Sequence, residues 1–281
     1  MACDSPFYVP NPDYPHISNV SKVPVPCGKC PPCQLRRVSS WVYRLQREEE
    51  VSTSSFFVTL TYDTTYVPIT SKGYMTLDKR DVQLFMKRLR KLHDKHVRLK
   101  YYLAGEYGGK TERPHYHLIL FNADVEKIHD AWGLGQVHVG QVTGSSIAYT
   151  CKYISKEKRI PMHKNDDRLR EFSLMSKRLG ANFFTPARIN YHKADLSRNF
   201  LVVEGGSKIA LPRYYRDRIY SESERKAQAR LIADIVTQDD LILKGEFLRL
   251  YPGGDFDRHK ESARIGRYES FYKHASKRDS I

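Results

Sequence analysis

No stretch of this 281-residue chain approaches the ~18 consecutive apolar residues that a membrane-spanning helix requires. The opening residues, Met1-Ala2-Cys3-Asp4-Ser5-Pro6, lack the basic start and apolar core of a secretory signal. These two absences predict a cytoplasmic protein with no membrane partner. Negative charge is also scarce. Asp and Glu number 32 against 47 Lys and Arg, for a formal net charge of +15. Such a balance favours a polyanionic partner, nucleic acid first and an acidic membrane surface second. There are only five cysteines. In a reducing compartment a clustered, odd set reads as thiols or metal ligands and not as a disulfide framework. Internal repeats and long low-complexity tracts are absent. So is an intact phosphate-binding loop. Gly105-Glu106-Tyr107-Gly108-Gly109-Lys110-Thr111 ends like G-x-x-x-x-G-K-[ST], but Ala104 stands at the first glycine position. The stretch reads as a hairpin turn, with Lys110 and Arg113 available to DNA.

What is present falls into three parts. Residues 1–33 form an extended Cys/Pro-rich arm. Residues 34–160 alternate helical and strand patterns. Leu35, Val38, Trp41, Val42 and Leu45 make one helical stripe, and Phe56 to Tyr62 is a β-branched and aromatic strand. A basic amphipathic helix over 78–95 has Asp78 at its start and Val82, Phe85, Met86, Leu89 and Leu92 as its buried stripe. Strands follow at 99–106 and 114–121, then a short helix at 125–132 and a strand at 136–142. The next helix, capped by Ser145 or Ser146, runs to about 158 and must stop before Pro161. This order predicts an α+β fold. Its antiparallel sheet has about five strands flanked by helices, most simply on one side. Residues 161–281 form a mainly helical extension, expected to touch DNA. It carries a hairpin around Gly205-Gly206, a helix over 222–243 and a loosely ordered tail. Tyr214 and Tyr215, beside Arg213 and Arg216, could stack unpaired bases or serve a core.

Three constellations carry chemistry. His115 and His117 flank Tyr116 at the start of a strand, so both imidazoles point to one face. Glu106 closes the preceding strand and can face the same spot across the ladder. His138 on the next strand is a rival third ligand. Such a set leaves coordination positions open for Mg2+ or Mn2+ on a phosphate oxygen, although imidazole also suits zinc. Tyr149 and Tyr153 are i and i+4 on one helix, with Lys152 and Lys156 close to that face. A tyrosine can serve as a covalent nucleophile if a cation or an activated phosphate assists. Cys27, Cys30 and Cys33 at x2 spacings, with Cys3, suit a structural zinc ion. Cys151 reads as a small buried residue.

Three segments resemble a known family: Phe57-Val58-Thr59-Leu60-Thr61-Tyr62, then Pro114-His115-Tyr116-His117-Leu118, then Tyr149-x-x-Lys152-Tyr153-x-x-Lys156. In order and spacing they are similar to the HUH endonucleases, the rolling-circle replication initiators. The doubled tyrosine, the cysteine-rich start and Leu211-Pro212-Arg213-Tyr214-Tyr215 look most like the replication proteins of microviruses of the gokushovirus type. The resemblance implies a tyrosine that nicks single-stranded origin DNA, remains on the 5′ phosphate, and leaves a 3′ hydroxyl for the host polymerase. It implies Tyr149 and Tyr153 as alternating nucleophiles and Lys152 and Lys156 as assisting cations. His115 and His117 would be metal ligands, with Glu106 as the least secure of the set. Strand separation would fall to a host helicase. Two alternatives stay open. One is a non-catalytic nucleic-acid binder with a sheet like an RNA-recognition domain. The other is a relaxase or transposase with the same chemistry.

Overall fold

The computed structural model describes residues 3–10, 22–109, 111–152 and 160–277. They belong to two compact units, one formed by 41–183 and the other by 1–40 with 184–281. The boundary lies within helix α1 (Pro31–Glu49). Two prolines open this helix, where backbone N–H groups have no intrahelical partner to lose.

In the 41–183 unit, five strands form an antiparallel sheet. They are β3 (Ser55–Thr61), β4 (Lys100–Tyr107), β5 (Pro114–Phe121), β6 (Val137–Gln141) and β7 (Phe172–Met175), in the order β6-β3-β5-β4-β7. Alternation along β5 sends Tyr116, Leu118 and Leu120 to one face. There they join Val58, Leu60 and Leu103 in the core. That face is covered by α2 (Lys79–Leu92), which contributes Val82, Phe85, Met86 and Leu89, and by α3 (Glu126–Trp132), which contributes Trp132. Asp78 caps α2, its carboxylate accepting from the Arg80 N–H at 2.6 Å. Leu92, expected in the buried stripe, is exposed at the helix end. Arg88 donates to the last carbonyls of α3, Ala131 and Trp132, and so caps that helix.

Helices are not confined to one side. Helix α4 (Gly144–Lys152) contacts β4 and β5, burying Ile147 and Cys151. Its cap is neither Ser145 nor Ser146. The Thr143 hydroxyl accepts from the Ser146 N–H at 3.1 Å, and the Ser146 hydroxyl accepts from the Thr143 N–H at 2.8 Å. A capping box needs its two members three apart, and that geometry puts the cap at Thr143.

In the other unit, β1 (Phe7–Pro10) pairs antiparallel with β2 (Lys22–Val25), so the arm is a two-stranded ribbon where it is described. Helix α5 (Pro186–Lys193) and the hairpin β8 (Phe200–Val202)/β9 (Lys208–Ala210) follow. Helix α6 (Arg213–Ile219) buries Tyr215 fully against Phe184, with Tyr214 packed on the same ring, so neither tyrosine is a free stacking platform. Helix α7 (Glu222–Leu250) starts at a Ser221/Glu224 capping box and runs past the expected 243. The final stretch, expected to be loosely ordered, carries helix α8 (Phe256–Lys277). Its charges are spread around the helix and leave no apolar stripe to read in the sequence.

Candidate metal centre and nucleophile

The β4–β5 ladder pairs Glu106 with His115 and Ala104 with His117. All three candidate ligands therefore share one face, and a residue as small as alanine lies beside the second imidazole. Glu106 Oε1 lies 2.8 Å from His115 Nε2 and 3.0 Å from His117 Nε2. Glu106 and His117 are buried, and His115 is partly covered.

The outer ring nitrogens are occupied. His115 Nδ1 is 3.1 Å from the Arg113 carbonyl, which can only accept, so Nδ1 carries the proton. His117 Nδ1 is 3.0 Å from the Thr59 hydroxyl, whose oxygen can accept in the same way. That tautomer turns both Nε2 lone pairs toward a carboxylate. Lone pairs and an anion facing one point repel unless a cation lies between them. Burial alone would raise the Glu106 pKa. The hydrogen bonds and charge of the two imidazoles outweigh it and hold the pKa at about 2.

The donor set fits a small divalent ion. At metal–ligand distances of about 2.1 Å, neighbouring ligands of an octahedral site are about 3.0 Å apart. Both oxygen–nitrogen separations lie close to that value. Among the described residues, Glu106, His115 and His117 form one of two clusters able to hold a metal ion. His138 is in neither. It is exposed on β6 and paired with Thr59, so a whole strand separates it from His117.

Tyr149 projects from α4 over this centre. Its ring meets His117 edge-on at 5.4 Å and Phe57 at 6.2 Å, while Phe57 stacks on His117 at 5.6 Å. Tyr149 is 43% exposed, which a group approached from solvent needs. Tyr153 and Lys156 lie outside the described residues. Lys152 is the last residue of α4, and only its backbone is described. Cys151 on the opposite face is fully buried, and burial pushes its thiol pKa up, as a packing residue requires. Arg113 is turned inward, donating to the Tyr62 carbonyl at 2.7 Å. Sequence reasoning assigned no role to Phe57 or the Thr59 hydroxyl. Strand alternation, which puts both on the histidine face, was the available clue.

The other metal-competent cluster is Cys3, Cys27, Cys30 and Cys33, with every Sγ within 4.8 Å of the others. All are free thiols. Burial opposes ionisation of Cys27, but the Cys30 and Lys29 backbone N–H groups draw its pKa down to about 6. Burial pushes that of Cys33 up to about 12.

Residues 55–158, which hold β3 through the tyrosine helix, match the family of replication-associated protein ORF2. The chain belongs to the phage replication-associated proteins. It is 31% identical to replication-associated protein VP4 of Bdellovibrio phage phiMH2K over 218 residues, 68% of this chain and 66% of the relative. It is 28% identical to replication-associated protein ORF2 of Spiroplasma virus 4, covering 76% and 72% of the two chains. It is also 28% identical to replication-associated protein ORF4 of Chlamydia phage 1, spanning about half, 53%, of that relative. No solved structure matches the chain. Among the described residues no helix is long and apolar enough to cross a membrane.

Proposed function

We propose that this replication-associated protein is a metal-dependent endonuclease and strand transferase that opens single-stranded origin DNA of a small phage through a tyrosine. The observation that carries this reading is the Tyr149 ring packed edge-on to His117, one of three converging metal-competent side chains. Glu106, His115 and His117 would hold the ion. A bound Mg2+ or Mn2+ supplies Lewis-acid polarisation of a phosphate oxygen.

The chain's own residues do the rest. The Tyr149 oxygen attacks phosphorus and forms a phosphotyrosine on the 5′ side. The bond to the 3′ oxygen breaks, and the phenolic proton passes through solvent to that oxygen. One phosphodiester replaces another, so the reverse step can reseal the strand without a nucleotide. Tyr153, one helical turn from Tyr149, serves as the second nucleophile, with Lys152 and Lys156 as cations near the phosphate. Fifteen excess positive charges favour the DNA backbone as partner. A host helicase and polymerase would supply strand separation and synthesis in the host cytoplasm.

A denaturing gel tests the reading. Single-stranded origin DNA with Mn2+ should yield a covalent protein–DNA adduct. The adduct should fall to background in the Tyr149→Phe/Tyr153→Phe double variant and weaken in each single one. Binding without any adduct would favour a non-catalytic DNA binder. Cleavage that survives the double variant would require another nucleophile.

A further inference from the structure

The second metal-competent cluster lies apart from the nicking chemistry, in the unit formed by residues 1–40 and 184–281. Its four thiols come from two separate stretches of chain. Cys27, Cys30 and Cys33 occupy the turn before α1 and its first turn, and Cys3 comes from the start of the arm. We propose that these four cysteines bind one Zn2+ as a tetrathiolate, and that this ion fastens the N-terminal arm and helix α8 to the start of α1.

The geometry is that of a tetrahedral zinc site. At a Zn–S distance of about 2.3 Å, tetrahedral sulfurs are about 3.8 Å apart. Cys3 Sγ and Cys30 Sγ are 3.8 Å apart. A disulfide would bring one pair to about 2.05 Å, and every thiol is free. The Cys27-x-x-Cys30 turn passes through Gly28 at φ +72°, which lets the backbone curl around Cys27. Lys29 and Cys30 N–H groups then donate to Cys27 Sγ at 3.4 and 3.3 Å, and Cys27 N–H donates to Cys3 Sγ at 3.2 Å. Such N–H to sulfur bonds orient metal-bound thiolates and disperse their charge. A soft, all-sulfur set selects zinc over Mg2+ or Mn2+. A cluster of several irons would need its cysteine sulfurs farther apart than these.

The site also has something to fasten. Asp4, next to Cys3, pairs with Arg267 of α8 at 3.1 Å. Ser5 is hydrogen-bonded to Tyr268 of the same helix. The start of α8 is held separately, by Phe256 against Phe247 and Lys260 against Asp240. Only the second half of α8 therefore depends on where Cys3 is held.

Elemental analysis of the full-length protein tests this. One zinc per chain is expected, and it should persist in the His115→Ala/His117→Ala variant, which separates this site from the nicking centre. Cys27→Ser should reduce zinc to less than a tenth of that value. Iron, or no metal together with freely alkylated thiols in the purified protein, would overturn the site. Folding of the variant is not needed for the second measurement, made on the wild type. Chelation should expose Cys3, Cys27, Cys30 and Cys33 to alkylation while Cys151 stays protected, and should open the chain around 265–270 to protease. Zinc release with α8 still resistant would overturn the fastening role.

Discussion

At the residue scale, the candidate centre depends on side chains that would touch no substrate. The Thr59 hydroxyl accepts from His117 Nδ1 and the Arg113 carbonyl from His115 Nδ1. Each leaves Nε2 as the inward atom. Thr59→Val keeps the shape of the strand but removes the acceptor. We expect Mn2+ affinity, measured by titration calorimetry, to fall about 10–100-fold while the melting temperature holds. Unchanged affinity would mean that the ring is oriented by Phe57 stacking alone. Glu106→Gln is the stronger change, since it removes the anion that offsets the ion's charge. It should weaken Mn2+ further than Thr59→Val does. The paired histidines and Glu106 could be read directly from strand alternation. The Thr59 contact could not, because only the β3–β5 register puts Thr59 opposite His117.

At the element scale, β5 has two jobs on two faces. The residue between the histidines, Tyr116, points away from them. Its hydroxyl donates to the Asp78 carbonyl, accepts from the Asp78 N–H at 2.8 Å, and lies 2.9 Å from the Tyr62 hydroxyl. The strand that aims the imidazoles is thereby pinned to the start of α2. Gly105, opposite Tyr116 on β4, is what makes room. A Cβ there would lie 3.1 Å from the Tyr116 ring and 3.2 Å from Leu77. Gly105→Ala should therefore destabilise the domain by about 1–3 kcal/mol in urea unfolding. A neutral result would show that the ring can shift without cost. In sequence this glycine belonged to a near-miss phosphate loop. Its role is cross-strand packing, which no local motif encodes.

At the scale of the 41–183 unit, the chain after the tyrosine helix returns to the hairpin that carries the ligands. Arg168 grips Asp166 through two guanidinium contacts of 2.9 and 2.8 Å and also pairs with Glu112 in the β4–β5 turn. Tyr107 donates to the Leu169 carbonyl at 2.7 Å. The ends of the nucleophile segment and of the ligand hairpin are thus tied to one another. Arg168→Ala would strand the covered Asp166 carboxylate. Because the pair lies just beneath the surface, the expected cost is about 3 kcal/mol, the low end for breaking a covered ion pair. The Arg168 guanidinium holds the Asp166 carboxyl well below its ordinary value. The linked stability is therefore complete above about pH 4 and is lost as pH falls below that. Melting temperatures from pH 6 down to pH 3 should decline less steeply in Asp166→Asn than in the wild type, and parallel curves would refute the linkage.

Sequence alone determined the α+β class, nearly every strand of the sheet, the capped basic helix and the His-x-His pair. Each of these follows from a period of two or 3.6 residues, or from a cap within three positions. Tertiary structure decided the rest. It selected Glu106 over His138 as the third ligand, because strand order puts β4 beside β5 and leaves β6 one strand farther away. It brought Tyr149 against His117 by packing α4 on the face expected to be open. It gathered Cys3 with three cysteines more than twenty positions distant. These are contacts between residues far apart in the chain, and no local period records them.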